Sequence, residues 1–273
     1  LQGGVAPRTG LYGLNLPVAR LIGNAHLGPS VDLVLRYDPL GAAAPGVGRG
    51  FTIGLSQYDS DQRLLTLATG DRFKVYENAT SVSLQQNRLN TVRFEKLTSG
   101  TYAGYYRITH KSGDVELLRN DAFKVKVPSQ IFSPVGRRLD LTWDQSGTTR
   151  RLTQVKDETT ILVQASYADT VSTLTIWPDQ TASYSLRLSF QNGYLTRIEN
   201  TTQTPALAWT MTYGNVGSSQ LLTRIQSPTG LIEQVVYRAG AVAFPSGAGL
   251  PALPRVDSYT QYPQGNQPAI SRT

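Results

Sequence analysis

The chain of 273 residues has no cysteine, which excludes disulfide bonds, zinc sites with thiolate ligands and thiol nucleophiles. Its formal charge is +7, but the basic residues are scattered, so no nucleic-acid-binding patch is predicted. Only 16% of the residues are charged, and 25 Gly and 14 Tyr accompany many Ser and Thr, a composition typical of β-strands joined by frequent turns. No run of about 18 apolar residues occurs, so no membrane span is predicted.

The first part of the chain predicts short strands separated by tight turns. Gly and Pro punctuate residues 3–29 between short apolar stretches. Residues 31–37 then carry an apolar side chain at every second position, which predicts a half-buried strand. Residues 41–50 are rich in Gly, Ala and Pro and predict a loop.

The middle of the chain predicts β-hairpins. Residues 51–58 are a candidate strand, and residues 64–76 and 105–118 each place two strand-like stretches on either side of a glycine, Gly70 and Gly113. Glycine supplies the positive φ that a tight hairpin turn needs. No stretch of the sequence predicts an amphipathic helix of three turns.

The second half of the chain is internally similar. A strand that ends in an aromatic residue is followed by a Gly-containing turn and a return strand of the pattern Leu-Thr-x-(Ile/Val). Copies of the return strand occupy residues 152–155, 195–198 and 222–225. One such hairpin cannot bury its own apolar face, so the copies must stack into a long sheet. Their irregular spacing favours a continuous coiling sheet over a propeller with blades of fixed length.

The sequence therefore predicts an all-β fold, a long antiparallel coiling sheet built from hairpins that forms a partial shell. Residues 1–50 would open the shell, residues 51–135 would form a hairpin region, and residues 136–273 would hold the degenerate repeats. We expect one continuous structural domain. Because the chain starts without methionine and stops within a patterned stretch, we also expect a fragment of a longer polypeptide.

The repeat resembles the unit of the YD-repeat, or Rhs-repeat, family, in which an aromatic-acid pair precedes a Gly-bearing turn and a Leu-Thr-x-(Ile/Val) strand. The positions that match this unit are Tyr37, Asp38, Tyr58, Asp59, Trp143, Asp144, Leu152, Phe190, Gly193, Leu195, Ile198, Tyr213, Leu222 and Ile225. Motifs at residues 7–12, 27–29, 35–39 and 48–52 resemble, in their order, the start of the shell in bacterial Rhs proteins and in the C-type subunits of insecticidal toxin complexes.

This resemblance implies a structural role in a secreted bacterial toxin. In the family, a β-shell encloses a toxic C-terminal domain, so the implied partners are the rest of the shell, the enclosed domain and other toxin-complex subunits. The family's self-cleavage motif is built on Asp-Pro-x-Gly; residues 38–41 have that spelling but stand alone and are predicted to form a turn. We expect no enzyme and no catalytic, cofactor or metal site. The shell hypothesis also predicts an exposed long sheet face and open sheet edges.

A carbohydrate-binding or adhesive surface is the main alternative function. Exposed, co-planar aromatic rings could stack on sugars, although tyrosine is also a favoured strand residue. The candidate rings are Tyr102, Tyr105, Tyr106, Tyr259 and Tyr262.

A glycosidase is the third possibility. It would need two carboxylates that face each other across a cleft. The acid pairs Asp59/Asp61 and Asp157/Glu158 are candidates, but acidic residues in turns are favoured as solvated or turn-forming groups. The chain has two imidazoles: His26 is expected to support a turn and His110 to be a solvated turn residue.

Overall fold

The computed structural model describes residues 2–41, 46–147, 149–264 and 267–272. Within these ranges the chain consists of strands, turns and irregular segments, with no helix that is long and apolar enough to cross a membrane. The all-β prediction is confirmed. Residues 42–45 of the predicted loop lie outside the described residues, as do the two terminal residues.

An N-terminal sheet contains four antiparallel strands in sequence order. These strands are β1 (Gln2–Val5), β2 (Tyr12–Ile22), β3 (Ser30–Tyr37) and β4 (Phe51–Ile53). Every second side chain of β3 is buried, which confirms the strand predicted at residues 31–37.

A second sheet contains five short strands, in the order β12-β5-β6-β7-β8. The strands are β5 (Gln57–Asp59), β6 (Leu64–Thr66), β7 (Arg72–Glu77), β8 (Val82–Leu84) and β12 (Val125–Lys126). The hairpin predicted at residues 64–76 is the β6–β7 pair. Its turn closes with a hydrogen bond from Gly70 N to Leu67 O at 2.8 Å, and Gly70 has the expected positive φ of 97°.

The third sheet is long, with fifteen strands in the order β24-β23-β22-β21-β20-β19-β18-β17-β16-β15-β14-β13-β11-β10-β9. Its strands are β9 (Val92–Lys96), β10 (Tyr106–His110), β11 (Val115–Leu118), β13 (Pro128–Phe132), β14 (Arg138–Ser146), β15 (Thr149–Lys156), β16 (Ile161–Tyr167), β17 (Val171–Ile176), β18 (Tyr184–Gln191), β19 (Tyr194–Asn200), β20 (Leu207–Val216), β21 (Ser219–Gln226), β22 (Ile232–Val242), β23 (Leu253–Tyr262) and β24 (Ile270–Arg272). Each strand pairs with the next one in the chain except where β12 leaves for the second sheet. The predicted hairpin-built sheet is thus confirmed, and it is open, with β9 and β24 at its two ends.

The two smaller sheets pack against one face of the long sheet. Buried side chains of β2 and β3 form two continuous clusters with strands β13 to β23, and the second sheet forms a third cluster with β9, β10 and β11. Burial of apolar surface, at about 25 cal/mol per Å², is the main force that holds such layers together. The structure is therefore a two-layer β arrangement.

The other face of the long sheet is polar across strands β15 to β18. A row of neighbouring residues across four strands reads Gln154, Gln164, Thr175 and Ser185. The exposed sheet face that the sequence predicts is therefore the face that carries this polar row. The apolar face, by contrast, is covered by the chain's own N-terminal half.

Polar contacts fasten the N-terminal sheet to the far end of the long sheet. The hydroxyl of Tyr12, which is fully buried, donates to Glu233 Oε2 at 2.5 Å, and Gln261 Nε2 donates to Glu233 Oε1 at 3.2 Å. Burial, and then the neighbouring Glu233, raises the pKa of Tyr12 far above its usual value, so the phenol stays protonated as a donor. Gly3 lies so close to Glu233 Oε2 that a side chain there would collide with it.

We expect Tyr12→Phe to lower the free energy of unfolding by about 1–3 kcal/mol, because it leaves one oxygen of a buried carboxylate without its donor. Urea titration measures this change. The matched control is Tyr76→Phe, at a ring that is 57% exposed, which should change stability by less than about 0.5 kcal/mol. Equal effects of the two substitutions would contradict a fastening role for the Tyr12–Glu233 contact.

His110 is not the solvated turn residue that the sequence suggested. It ends strand β10, and its Nε2 lies 2.7 Å from Glu116 Oε1 on the neighbouring strand. Glu116 is buried and also accepts a hydrogen bond from Ser56 Oγ at 2.8 Å, so this carboxylate connects the long sheet with the segment between β4 and β5. The hydrogen bond to Glu116 raises the pKa of His110, against the opposing effect of burial, with a further contribution from Asp114.

Stability should therefore depend on pH through His110. A raised folded-state pKa means that the protonated imidazole stabilises the fold; this contribution is complete below the ordinary pKa of 6.5 and is lost as pH rises through the folded-state pKa. Urea titrations between about pH 5.5 and about pH 8.5 should show this loss in the native protein and not in His110→Gln. His26→Asn, in a turn where residue 26 has φ of 69°, is the control and should keep the wild-type slope. An unchanged slope in His110→Gln would exclude this pair as its source.

Candidate functional site: the repeat hairpins

The three repeat hairpins share one irregularity in strand pairing. In the β14–β15, β18–β19 and β20–β21 pairs the register shifts by one residue just before the aromatic position, at Trp143, Phe190 and Tyr213. Each shift is a β-bulge, in which the return strand has one extra residue. A bulge bends the strand and increases the local twist, so the repeat carries a bend at every copy.

The extra residue of each bulge is the threonine of the Leu-Thr-x-(Ile/Val) pattern. Its hydroxyl donates to the backbone carbonyl on the partner strand just before the aromatic residue. The three bonds are Thr153 Oγ1 to Thr142 O at 3.1 Å, Thr196 Oγ1 to Ser189 O at 3.1 Å and Thr223 Oγ1 to Thr212 O at 3.2 Å. The threonine therefore satisfies a carbonyl that lies at the break in regular pairing.

A tyrosine from a later strand completes each copy. Tyrosine hydroxyls donate to the carbonyls of the repeat leucines. These bonds are Tyr167 Oη to Leu152 O at 2.5 Å, Tyr213 Oη to Leu195 O at 2.8 Å and Tyr237 Oη to Leu222 O at 3.1 Å. Burial raises the pKa of all three phenols, so they remain donors. Successive hairpins are thus joined by a repeated side-chain bond as well as by strand pairing.

Tyr37 brings the N-terminal sheet into this series. Its hydroxyl accepts a hydrogen bond from Leu222 N at 2.9 Å, in the same return strand whose Leu222 carbonyl accepts from Tyr237. The Tyr37 ring packs on Phe51 at 5.2 Å, and burial raises its pKa to about 12. The repeat positions Leu195, Ile198, Leu222 and Ile225 lie in the same buried cluster as Tyr37.

The segment after the undescribed residues 42–45 also docks on a repeat. Arg49 N donates to Gly193 O at 2.9 Å in the β18–β19 turn. Gly48 has φ of 92°, and a side chain there would lie 2.9 Å from Leu195 N. Only glycine fits this close approach without displacing the repeat strand.

The acidic partners of the aromatic positions occupy turns and ion pairs. Asp38 lies in a turn closed by Gly41 N to Asp38 O at 2.9 Å, as predicted for residues 38–41. Its carboxylate contacts Arg72 at 3.2 Å. Asp144 pairs with Arg151 at 2.7 Å, beside Trp143, whose Nε1 donates to Pro128 O at 2.7 Å.

Tyr58 and Asp59 lie apart from the repeat hairpins, in the second sheet. Tyr58 is fully buried, stacks edge-on against Phe94 and donates to Glu77. Asp59 Oδ1 accepts hydrogen bonds from the backbone of Asp61 and Gln62, a turn-forming role. The structure therefore groups Tyr37 with the second-half repeats and separates the Tyr58–Asp59 pair from them.

Four of the tyrosines considered for sugar binding are buried or packed against one another. Tyr106 and Tyr259 are only 3% and 6% exposed, so the expectation that these two rings could stack on sugars is wrong. Tyr102 and Tyr105 meet at 71° and are not co-planar.

The acid pair Asp157/Glu158 lies within one turn. Burial opposes ionisation of Asp157, but hydrogen bonds from Asn24 N, Thr159 and Thr160 outweigh it and lower its pKa. Glu158 pairs with Arg137 at the surface.

Sequence reasoning missed two groups of residues. Each bulge threonine is the second residue of the Leu-Thr-x-(Ile/Val) pattern, but nothing in that pattern separates it from an ordinary strand threonine. Glu233 gave no local signal, because its partner Tyr12 is 221 positions away.

No protein-family model matches the chain, and no curated protein sequence matches it. Among solved structures, the chain is similar to part of "Crystal Structure of TcdB2-TccC3", with a TM-score of 0.44, 10% identity, and coverage of 86% of this chain and 16% of that chain. It is also similar to part of "Crystal Structure of TcdB2-TccC3-Cdc42", with a TM-score of 0.38, 10% identity, and coverage of 84% and 16%. The chain thus spans a small part of either, and its fold class rests on the strands described above.

We expect Thr196→Val to lower the free energy of unfolding by about 1 kcal/mol, since valine keeps the branched shape but cannot donate to Ser189 O. Urea titration again provides the measurement. Thr210→Val, on the adjacent strand β20 and outside the bulge, is the matched control and should be close to neutral. If both valines cost the same, the bulge threonine has no special role.

Proposed function

We propose that this chain is a wall segment of a YD/Rhs-type β-shell that encloses or presents a toxic domain of a secreted bacterial toxin, and that it is not itself an enzyme. The observation that carries the proposal is the repeated unit: hairpins in sequence order, each with a bulge, a threonine bond across it and a later tyrosine on the leucine carbonyl. A wall of indefinite length needs a unit of this kind, which joins each hairpin to the one before it.

The free edges support the same role. Strand β24 pairs with β23 through Ile270, Ser271 and Arg272, and its other side has no strand partner among the described residues. An unpaired edge offers backbone donors and acceptors to a further strand. In the proposed shell, additional hairpins continue the sheet from β24.

The covered apolar face defines where this segment would lie in the shell. Because the N-terminal and second sheets already fill the space against the long sheet, the enclosed domain would lie beyond them, towards the β24 end. The segment would then close one end of the cavity, with the N-terminal sheet fixed there by Tyr12 and Tyr37.

Limited proteolysis of the natural polypeptide that contains this chain tests the proposal. An enclosed domain should resist the protease, and Glu233→Ala should speed its cleavage about tenfold by loosening the N-terminal sheet from the wall. Gln234→Ala, at the exposed neighbour of Glu233, is the matched control and should leave cleavage unchanged. Where Glu233→Ala prevents folding, Tyr37→Phe is the milder change at the same seam, the contact between the N-terminal sheet and the long sheet.

Two results would overturn this function. The first is a natural polypeptide whose mass leaves no room for a further domain. The second is a further domain that is cut as fast in the intact protein as when it is produced alone.

A further inference from the structure

The β22–β23 hairpin ends in an exposed apolar tip, residues 239–254. This stretch has no charged residue, and Ser246 is its one side chain that can form hydrogen bonds. Residues 238–252 are all exposed, including Val242 at 41%, Phe244 at 38% and Leu250 at 59%. Apolar surface concentrated in this way marks a contact surface.

The tip projects beyond the neighbouring hairpin. A side chain at Gly217, in the turn of the β20–β21 hairpin, would lie 3.7 Å from Ala239 Cβ, so residue 239 marks the level of that turn. Strand pairing in β22–β23 continues beyond this level to Val242 and Leu253. The paired stem therefore holds the tip away from the body of the sheet.

Arginines surround the base of the tip. Arg238 and Arg255 are opposite each other in the stem, and Asp257 pairs with Arg238 at 2.5 Å. Arg8 lies in the turn between β1 and β2, which docks beside the stem through Val256 N to Gly10 O at 2.7 Å. An uncharged apolar tip above a positively charged stem complements a lipid surface with anionic headgroups.

A protein partner fits these features less well. Protein interfaces carry about one hydrogen bond per 100–200 Å², and apart from its backbone groups the tip has one hydroxyl to contribute. A bilayer surface needs apolar area and nearby positive charge, without specific polar contacts. The depth of insertion is limited, because residues 243–252 form a loop whose peptide groups need water or headgroups as partners.

We propose that the 239–254 tip inserts into the interfacial layer of a bilayer that contains anionic lipids, with Arg238 and Arg255 at the phosphate level. Phe244, Val242 and Leu250 enter the acyl boundary, and the polar face of the long sheet remains in water. This role is independent of whether the shell encloses a domain.

The absence of cysteine allows a direct test. Phe244→Cys, labelled with an environment-sensitive fluorophore in the otherwise native chain, should shift to the blue with phosphatidylcholine–phosphatidylserine vesicles, and much less with phosphatidylcholine alone. Lipid-borne quenchers should reach the label. Leu89→Cys, at a side chain that is 81% exposed in the turn between β8 and β9, is the control and should not respond.

Vesicle flotation of unlabelled variants completes the test. Phe244→Ser with Leu250→Ser should weaken binding about tenfold or more, since both substitutions remove apolar area from the part of the tip that enters the bilayer. Leu89→Ser should bind as the native chain does. Arg238→Gln with Arg255→Gln should remove the preference for phosphatidylserine, and added salt should weaken native binding.

Three outcomes overturn the proposal. One is no response of residue 244 to either kind of vesicle. Another is vesicle binding that survives the change of Phe244 and Leu250. The last is a fluorophore shift without vesicles that grows with protein concentration, which would make the tip a contact between protein chains.

Discussion

The apolar face of the fifteen-stranded sheet must be removed from water, and the rest of the structure follows from how this is done. A β-sheet with one apolar face is stable only when another layer covers it. The N-terminal sheet supplies most of that layer, and the buried clusters run without a break from β2 and β3 into the repeat strands. The seam is defined by polar anchors, Tyr37 on Leu222 and Tyr12 on Glu233, because apolar contact alone does not set the position of one sheet on another.

The bulges explain how so long a sheet remains regular. Strongly twisted open sheets rarely exceed about ten strands without curling, and this one has fifteen. A bend at the same point of each repeat distributes the curvature along the sheet, and the threonine hydroxyl keeps each bend from leaving a carbonyl without a donor. The later tyrosine then bonds to the leucine carbonyl of the same return strand, so bending and stacking are produced by one short pattern.

Sequence patterns predicted the strands and hairpins, which depend on residues close together in the chain. The alternation along residues 31–37 and the repeated Leu-Thr-x-(Ile/Val) strands identified β3 and the repeat hairpins, because period-two burial and turn glycines are visible within a few residues. The partners across the seam were not predictable in this way. Tyr12 and Glu233 meet through tertiary packing, and His110 looked like a turn residue because its carboxylate partner, Glu116, becomes buried only when the layers assemble. The strands could thus be inferred from sequence, and the covering of one sheet by another could not.

The edge of β24 and the 239–254 tip both lack a complementary partner among the described residues, and their chemistry differs. The edge of β24 presents backbone donors and acceptors, which suit another strand. The 239–254 tip presents apolar area with almost no hydrogen-bonding side chains, whereas the uncovered face of strands β15 to β18 carries Gln154, Gln164, Thr175 and Ser185. This polar row shows that the chain has polar residues on an uncovered sheet face elsewhere. The apolar character of the tip is therefore a property of that site, and a partner that pairs with the edge is of a different kind from one that accepts the tip.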